Sequence, residues 1–168
     1  MEKTFKYSKD YSCEELLKGC QAFFGGQFWV WYQTVAKVVG EEKANEILLE
    51  LAKRFAELEV DYVKMLWGKE FKNLEELTHC FDVIHAMVGY DCSWTMEDKF
   101  KGFEKISNCP IHSATPEELK GRGICKIYCN RIGEEAYSML NAEITREKYL
   151  CDGDPYCGCR IEWKGPKT

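Results

Sequence analysis

The chain has 168 residues, a net charge of −5, 45% hydrophobic residues and 14% aromatic residues. That is enough apolar sequence for one sizeable core, and it excludes a disordered chain. The acidic balance argues against nucleic-acid partners, which need a surplus of Lys and Arg, and no window reaches the roughly 18 consecutive apolar residues of a membrane span.

In chain order, Ser12 followed by Glu15 forms a capping-box pattern that opens a helix through Phe24, and Gly25-Gly26 is read as its end. A second helix covers about Phe28 to Val39, with Gly40 at its stop. A third runs from Glu41 to about Leu66, because Ala44, Ile47, Leu48, Leu51, Phe55, Leu58 and Tyr62 recur at steps of three and four. Asn73 with Glu76 caps a fourth, which stops at Gly89. The period then changes. Cys92, Trp94 and Met96 alternate with polar residues as in a strand, and Phe100 to Ser107 reads as its hairpin partner. Thr115-Pro116 starts a short helical turn. A helix follows from Ile124 to Leu140, and then two strands, Glu143 to Leu150 and Cys157 to Trp163, joined by the turn at residues 152–156. The expected fold class is α+β: amino-terminal helices packed with a small antiparallel sheet of about four strands and a cysteine-bearing helix. Residues 1–168 are read as a single domain, mainly helical over 1–89 and hairpin–helix–hairpin over 90–168.

Ten cysteines carry most of the chemical information. The amino terminus, MEKTFKYSKDYS, lacks the apolar run of a secretory signal, so a cytoplasmic protein with reduced thiols is expected. Cys125 and Cys129 share a stripe with Ile132, Ala136 and Leu140, and Cys157 and Cys159 share a strand face with Ile161 and Trp163. Cys109 sits where a strand must end before Pro110. This placement lets several sulfurs meet near one end of the sheet. Three readings follow. In the first, a tetrahedral soft-metal site uses Cys109, Cys125 and Cys157, with Cys129 or His112 as the fourth ligand; zinc is the expected ion and iron the alternative. In the second, Cys125 or Cys109 is a nucleophile and His112 its base, since the first helical turn, Arg122 and Lys126 favour a thiolate at Cys125. In the third, the cysteines are small core hydrophobes of a structural or partner-binding domain. Whether the chain is an enzyme is left open by these readings.

His85, on the apolar side of its helix, reads as a hydrogen-bonded core residue, and His79 as exposed. Phe23, Phe24, Phe28, Trp29, Trp31 and Tyr32 crowd one stretch and read as core plus a helix or homodimer contact, or as the wall of a pocket for a small apolar or aromatic molecule. Asp152 and Asp154 read as turn residues, and P-loop and dinucleotide fingerprints are absent.

The segment FWVWYQTVAKVVGEEKANEILLELAKRF resembles the amino-terminal helices of the L-2-amino-thiazoline-4-carboxylic acid hydrolase-like family. Asn108-Cys109-Pro110, Cys125 and Gly153-Asp154-Pro155-Tyr156-Cys157 resemble its second half, and the closing hairpin also resembles the 4-vinyl reductase domain family. The resemblance spans roughly Phe28 to Trp163. It implies an α+β small-molecule-binding domain with Cys109, Cys125 and Cys157 as site residues, beside a zinc ion, or a hydrolase of a small thiazoline or cyclic C–N substrate. The chain departs from the zinc-binding members before the final hairpin turn. Where they have an acidic residue and a cysteine, it has Arg146 and Tyr149, with Cys151 shifted by two, so an all-cysteine or cysteine/histidine set is expected.

Overall fold

In the computed structural model, which describes residues 12–166, the helix-start signals act locally as read. Of the amino-terminal stretch MEKTFKYSKDYS, in which no apolar signal run is found, residues 1–11 lie outside the described residues. The Ser12 hydroxyl accepts from the Glu15 N–H at 3.1 Å and the Glu15 carboxylate accepts from the Ser12 N–H at 2.9 Å, which satisfies two orphan donors of helix α1, Cys13–Val39. Gly40 separates α1 from α2, Glu41–Trp67. The Asn73 side chain accepts from the Glu76 N–H at 2.8 Å and caps α3, Leu74–Val88. Strand β1, Asp91–Met96, and β2, Lys101–Asn108, form the first hairpin. A short helix α4, Pro110–Ser113, and a single 3-10 turn at Glu117–Leu119 lead to α5, Ile124–Met139. Strands β3, Ala142–Lys148, and β4, Cys157–Trp163, complete an antiparallel sheet of order β1-β2-β4-β3. The α+β class and the four-stranded sheet are as expected. The strand expected over Glu143 to Leu150 ends at Lys148, and Leu150–Asp152 forms a 3-10 segment.

The Gly25-Gly26 stop is the clearest correction. Helix α1 continues through both glycines as one helix of 27 residues. Gly25 is buried, and a Cβ there would sit 2.4 Å from the Pro110 carbonyl oxygen, so the glycine permits close approach of α4. Nothing lies within 4 Å of a Cβ at Gly26. The two positions therefore predict opposite outcomes. Gly26→Ala gains roughly 0.5–1 kcal/mol from helix propensity. Gly25→Ala loses about 1–3 kcal/mol to overpacking against backbone. Thermal melts of the two variants check this.

The helices cover the inner face of the sheet. One core cluster joins Val60 and Val63 of α2, Leu77 and Phe81 of α3, Ala136 and Tyr137 of α5, and Cys159, Ile161 and Trp163 of β4. A second joins Phe28, Trp29 and Tyr32 of α1 with Ala44, Leu48 and Ala52 of α2, Ile111, Ile124 and Tyr128. Fully buried alanines at 44, 52 and 56 let α2 lie close to its neighbours, and each fully buried leucine such as Leu48 contributes about 2 kcal/mol. The aromatic run is thus mostly core. The Trp29 indole N–H donates to the Ile111 carbonyl at 2.7 Å and so ties α1 to α4. Among the described residues, no helix is long and apolar enough to cross a membrane.

Candidate functional site

Between α2, α3, α5 and the inner face of the sheet lies a cavity of about 290 Å³. Its walls are largely apolar: Phe24, Phe55, Leu58, Phe81, Ile84, Val88, Ile106, Ile132 and Ala136. Strand alternation builds its floor. Glu104 pairs across β2 with Cys159 on β4, and Cys159 pairs with Arg146 on β3, so the three side chains stand in one row on the inner face. Glu104 is 1% exposed, and His85 of α3 reaches down to it, with Nδ1 3.1 Å from Oε1. Arg146 donates to Cys159 Sγ and to the Cys129 carbonyl oxygen, each at 3.1 Å, and makes no ion pair with a carboxylate among the described residues. Glu59 of α2 and the Tyr137 hydroxyl, which is buried without a hydrogen-bond partner, also line the space.

These groups tune one another. Burial raises Glu59 to about 6, against a smaller opposing pull from His85. Burial pulls His85 down, but contact with Glu104 and the charges of Glu104 and Glu59 outweigh it, so its pKa is raised. Burial pushes Glu104 up, yet His85 and then Arg146 hold it below the usual carboxylate range. The floor is therefore a buried Glu104 carboxylate beside the His85 ring and near the Arg146 guanidinium, beneath apolar walls. His85 is the partnered core histidine that its apolar helix face indicates, and it also lines the cavity.

The expected cysteine residues share this cavity. Cys109, Cys125, Cys129 and Cys157 line one wall, together with Cys151 and His112. The thiols are all free and half-buried or buried. Leu150 N–H donates to Cys157 Sγ at 3.3 Å, and Cys109 Sγ accepts from the backbone N–H of His112 at 3.4 Å, not from its ring. Among the described residues, the one trio of His, Cys, Asp or Glu ligand atoms lying within 4.8 Å of one another is His85, Cys92 and Glu104. The cysteine wall thus gathers the sulfurs along one surface without closing them around a point.

Burial opposes the thiolate expected at the start of α5. Burial, then the neighbouring Cys151, pushes the Cys125 thiol far up, and burial raises Cys109 to about 11 and Cys159 to about 12. Desolvation of the charged form outweighs the helix terminus. The two cations that were to assist are engaged elsewhere: Arg122 with Glu41 and Lys126 with Asp152, both at 2.6 Å. A thiol with a pKa of about 11 is thiolate to only about one part in ten thousand at pH 7. Iodoacetamide at neutral pH is accordingly expected to label the exposed Cys13 and Cys20 well before Cys109 and Cys125, as peptide mass mapping over time will show.

Glu104 and Arg146 are the site residues that pattern reading passed over. The signal for Glu104 is its even-numbered place in β2 between the inward Gly102 and Ile106, but only the three-strand register reveals its partners.

No family model matches the sequence, and no curated protein matches it. Solved structures do share the fold. A trafficking protein particle complex subunit 3 from Naegleria fowleri, covalently bound to palmitic acid, superposes with a TM-score of 0.61 at 16% identity, over 90% of this chain and 99% of that one. The phenol-responsive sensory domain of the transcription activator PoxR, solved with phenol, superposes with a TM-score of 0.57 at 11% identity, over 84% of this chain and 73% of that one. Identities this low establish a shared α+β fold and nothing finer.

Proposed function

We propose that this chain is a small-molecule-binding domain of the 4-vinyl reductase type, taking a small apolar or aromatic ligand into the cavity over the Glu104 floor. The observation that carries this is the cavity itself. At about 290 Å³ it lies near the lower end of ligand-pocket sizes, roughly 300–1,000 Å³, and it combines apolar walls with a few convergent polar groups. The likeness in fold to a phenol-responsive sensory domain supports the reading. The unpartnered Tyr137 hydroxyl and the Glu59 carboxyl suit a ligand carrying one polar group. The hydrolase alternative needs a thiolate at Cys125 or Cys109 with His112 as base. Because both thiols are held protonated, binding is the better-supported activity.

The same reading includes a soft metal, zinc or alternatively iron, on the cysteine wall at Cys109, Cys125 and Cys157, with Cys129 or His112 as the fourth ligand. The donor chemistry fits, but a metal held there requires the sulfurs to close up from their places along the wall. A homodimer through α1 belongs to it as well: Leu16, Phe23 and Val30, seven residues apart, are 53%, 66% and 66% exposed, and sedimentation equilibrium tests it.

The test of binding is titration with a polarity-sensitive aromatic dye, followed by displacement with phenol, indole and a short fatty acid. Saturable uptake at one site, competed by small apolar molecules, is expected; no uptake of any probe overturns the reading. Glu59 adds a pH signature. Its proton is held more tightly in the folded state, so its effect on stability is most favourable below the unfolded value and is lost as pH rises from 4.5 to about 6, a cost of about 2 kcal/mol at neutral pH. A neutral ligand covering Glu59 favours the protonated form, so affinity is expected to rise as pH falls from about 8 to about 5, and Glu59→Gln is expected to flatten that dependence.

A further inference from the structure

The floor of the cavity holds a second arrangement, apart from the cysteine wall. His85 Nδ1 lies 3.4 Å from Cys92 Sγ and 3.1 Å from Glu104 Oε1, and the three ligand atoms fall within 4.8 Å of one another. The ring nitrogen faces a carboxylate oxygen, which accepts, and a thiol, whose role as donor or acceptor depends on the ring tautomer. Glu104 shows what the arrangement leaves over. Its Oε1 is fully buried, close to the ring nitrogen, and without the alignment of a hydrogen bond. A buried carboxylate oxygen left without an aligned donor calls for a partner.

The spacing also suits a metal. A tetrahedral zinc with bonds of about 2.0–2.3 Å sets its N···O edge near about 3.3 Å and its N···S edge near about 3.6 Å. The observed 3.1 and 3.4 Å are each within about 0.2 Å of those edges. The three residues come from α3, β1 and β2, so the site rests on rigid elements. Contacts between the His85 ring and those of Phe81 and Tyr90, with centroids 6.1 and 5.3 Å away, hold the imidazole in place.

We propose that His85 Nδ1, Cys92 Sγ and Glu104 Oε1 form a three-ligand site for a divalent zinc-type ion whose fourth position opens to the cavity. Binding displaces the Cys92 thiol proton and the Nδ1 proton to solvent. One thiolate and one carboxylate then balance the dication, so the loaded site is neutral, as a buried site requires. His85 and Glu104 both line the cavity, so water or a ligand oxygen or nitrogen can complete the tetrahedron. The fourth position alone rests on the ligand-binding reading; the three protein ligands stand without it.

The experiment is zinc loading of the tag-free full chain. Protein stripped with chelator is dialysed against buffered zinc, and the bound metal is measured for the wild type, Cys92→Ser, Glu104→Gln and the Cys125→Ser/Cys157→Ser double variant. Cobalt loading in parallel reports a thiolate ligand through its charge-transfer absorption. The double variant, which removes the cysteine-wall ligands, is expected to keep one ion per chain, and Cys92→Ser and Glu104→Gln are each expected to hold one ion fewer than the wild type, with the part of the thiolate band that the double variant retains missing from Cys92→Ser. Circular dichroism checks that each variant is folded; Cys92→Ser decides alone if Glu104→Gln is not. A wild type that takes up no zinc, or zinc kept by Cys92→Ser and lost from the double variant, overturns the proposal. Dye binding measured on the same metal-free protein separates this failure from failure of the ligand-binding reading.

Discussion

Glu104→Ala is expected to lower the unfolding free energy by about 3–5 kcal/mol, the range seen when one partner of a buried charge pair is removed. Two groups depend on this carboxylate. His85 can escape by releasing its proton, since its raised pKa exists largely because of Glu104. Arg146 has no such escape: a guanidinium stays protonated even where burial favours its neutral form. Its remaining bonds run to a thiol and a backbone carbonyl, which do not neutralise it. The sign of the wild-type pH dependence follows. A lowered carboxylate pKa gives stability that is present above its unfolded value and is lost as pH falls through the folded one. Urea denaturation of Glu104→Ala, Arg146→Met and the double variant measures the coupling. The double variant is expected to be less damaged than the sum of the singles, because it strands no charge. Strict additivity would mean that Glu104 and Arg146 do not act as a unit.

The second large effect concerns the cavity. Ile132 of α5 lines it and is only half-buried, so Ile132→Trp directs an indole into the space without removing a central core side chain. Small-molecule affinity is expected to fall more than tenfold, which is at least about 1.4 kcal/mol of binding free energy. The melting temperature is expected to change little, since the added ring fills volume that the fold already encloses. Val30→Trp, on the exposed face of α1 and away from the cavity, is the control and should leave binding unchanged.

Local chemistry was legible in the chain and long-range juxtaposition was not. Ser12 and Asn73 announce their helix starts because a cap involves only residues three apart. The cysteine stripe of α5 and the inner face of β4 follow from their periods, and the structure turns Cys125, Cys129 and Cys157 to one cavity. Gly25 was misread because its reason for being glycine is the backbone of Pro110, 85 residues on. Glu104 looks like one more charge in an alternating strand until Cys159 and Arg146 are set beside it by two strand pairings. Arg146 stood out only as a departure from a family pattern, where an acidic residue was expected. The thiolate expected at Cys125 meets a related limit. Its helix position is local information, but the burial that decides its pKa is a property of the assembled fold.

The central claim, that the cavity over Glu104 is a small-molecule site, is tested most directly by isothermal titration of a small aromatic such as phenol or indole into wild-type protein and Ile132→Trp side by side. The account predicts saturable binding with one site per chain in the wild type and its loss in the variant. Heat that is absent from both titrations, or binding that survives unchanged in Ile132→Trp, contradicts it.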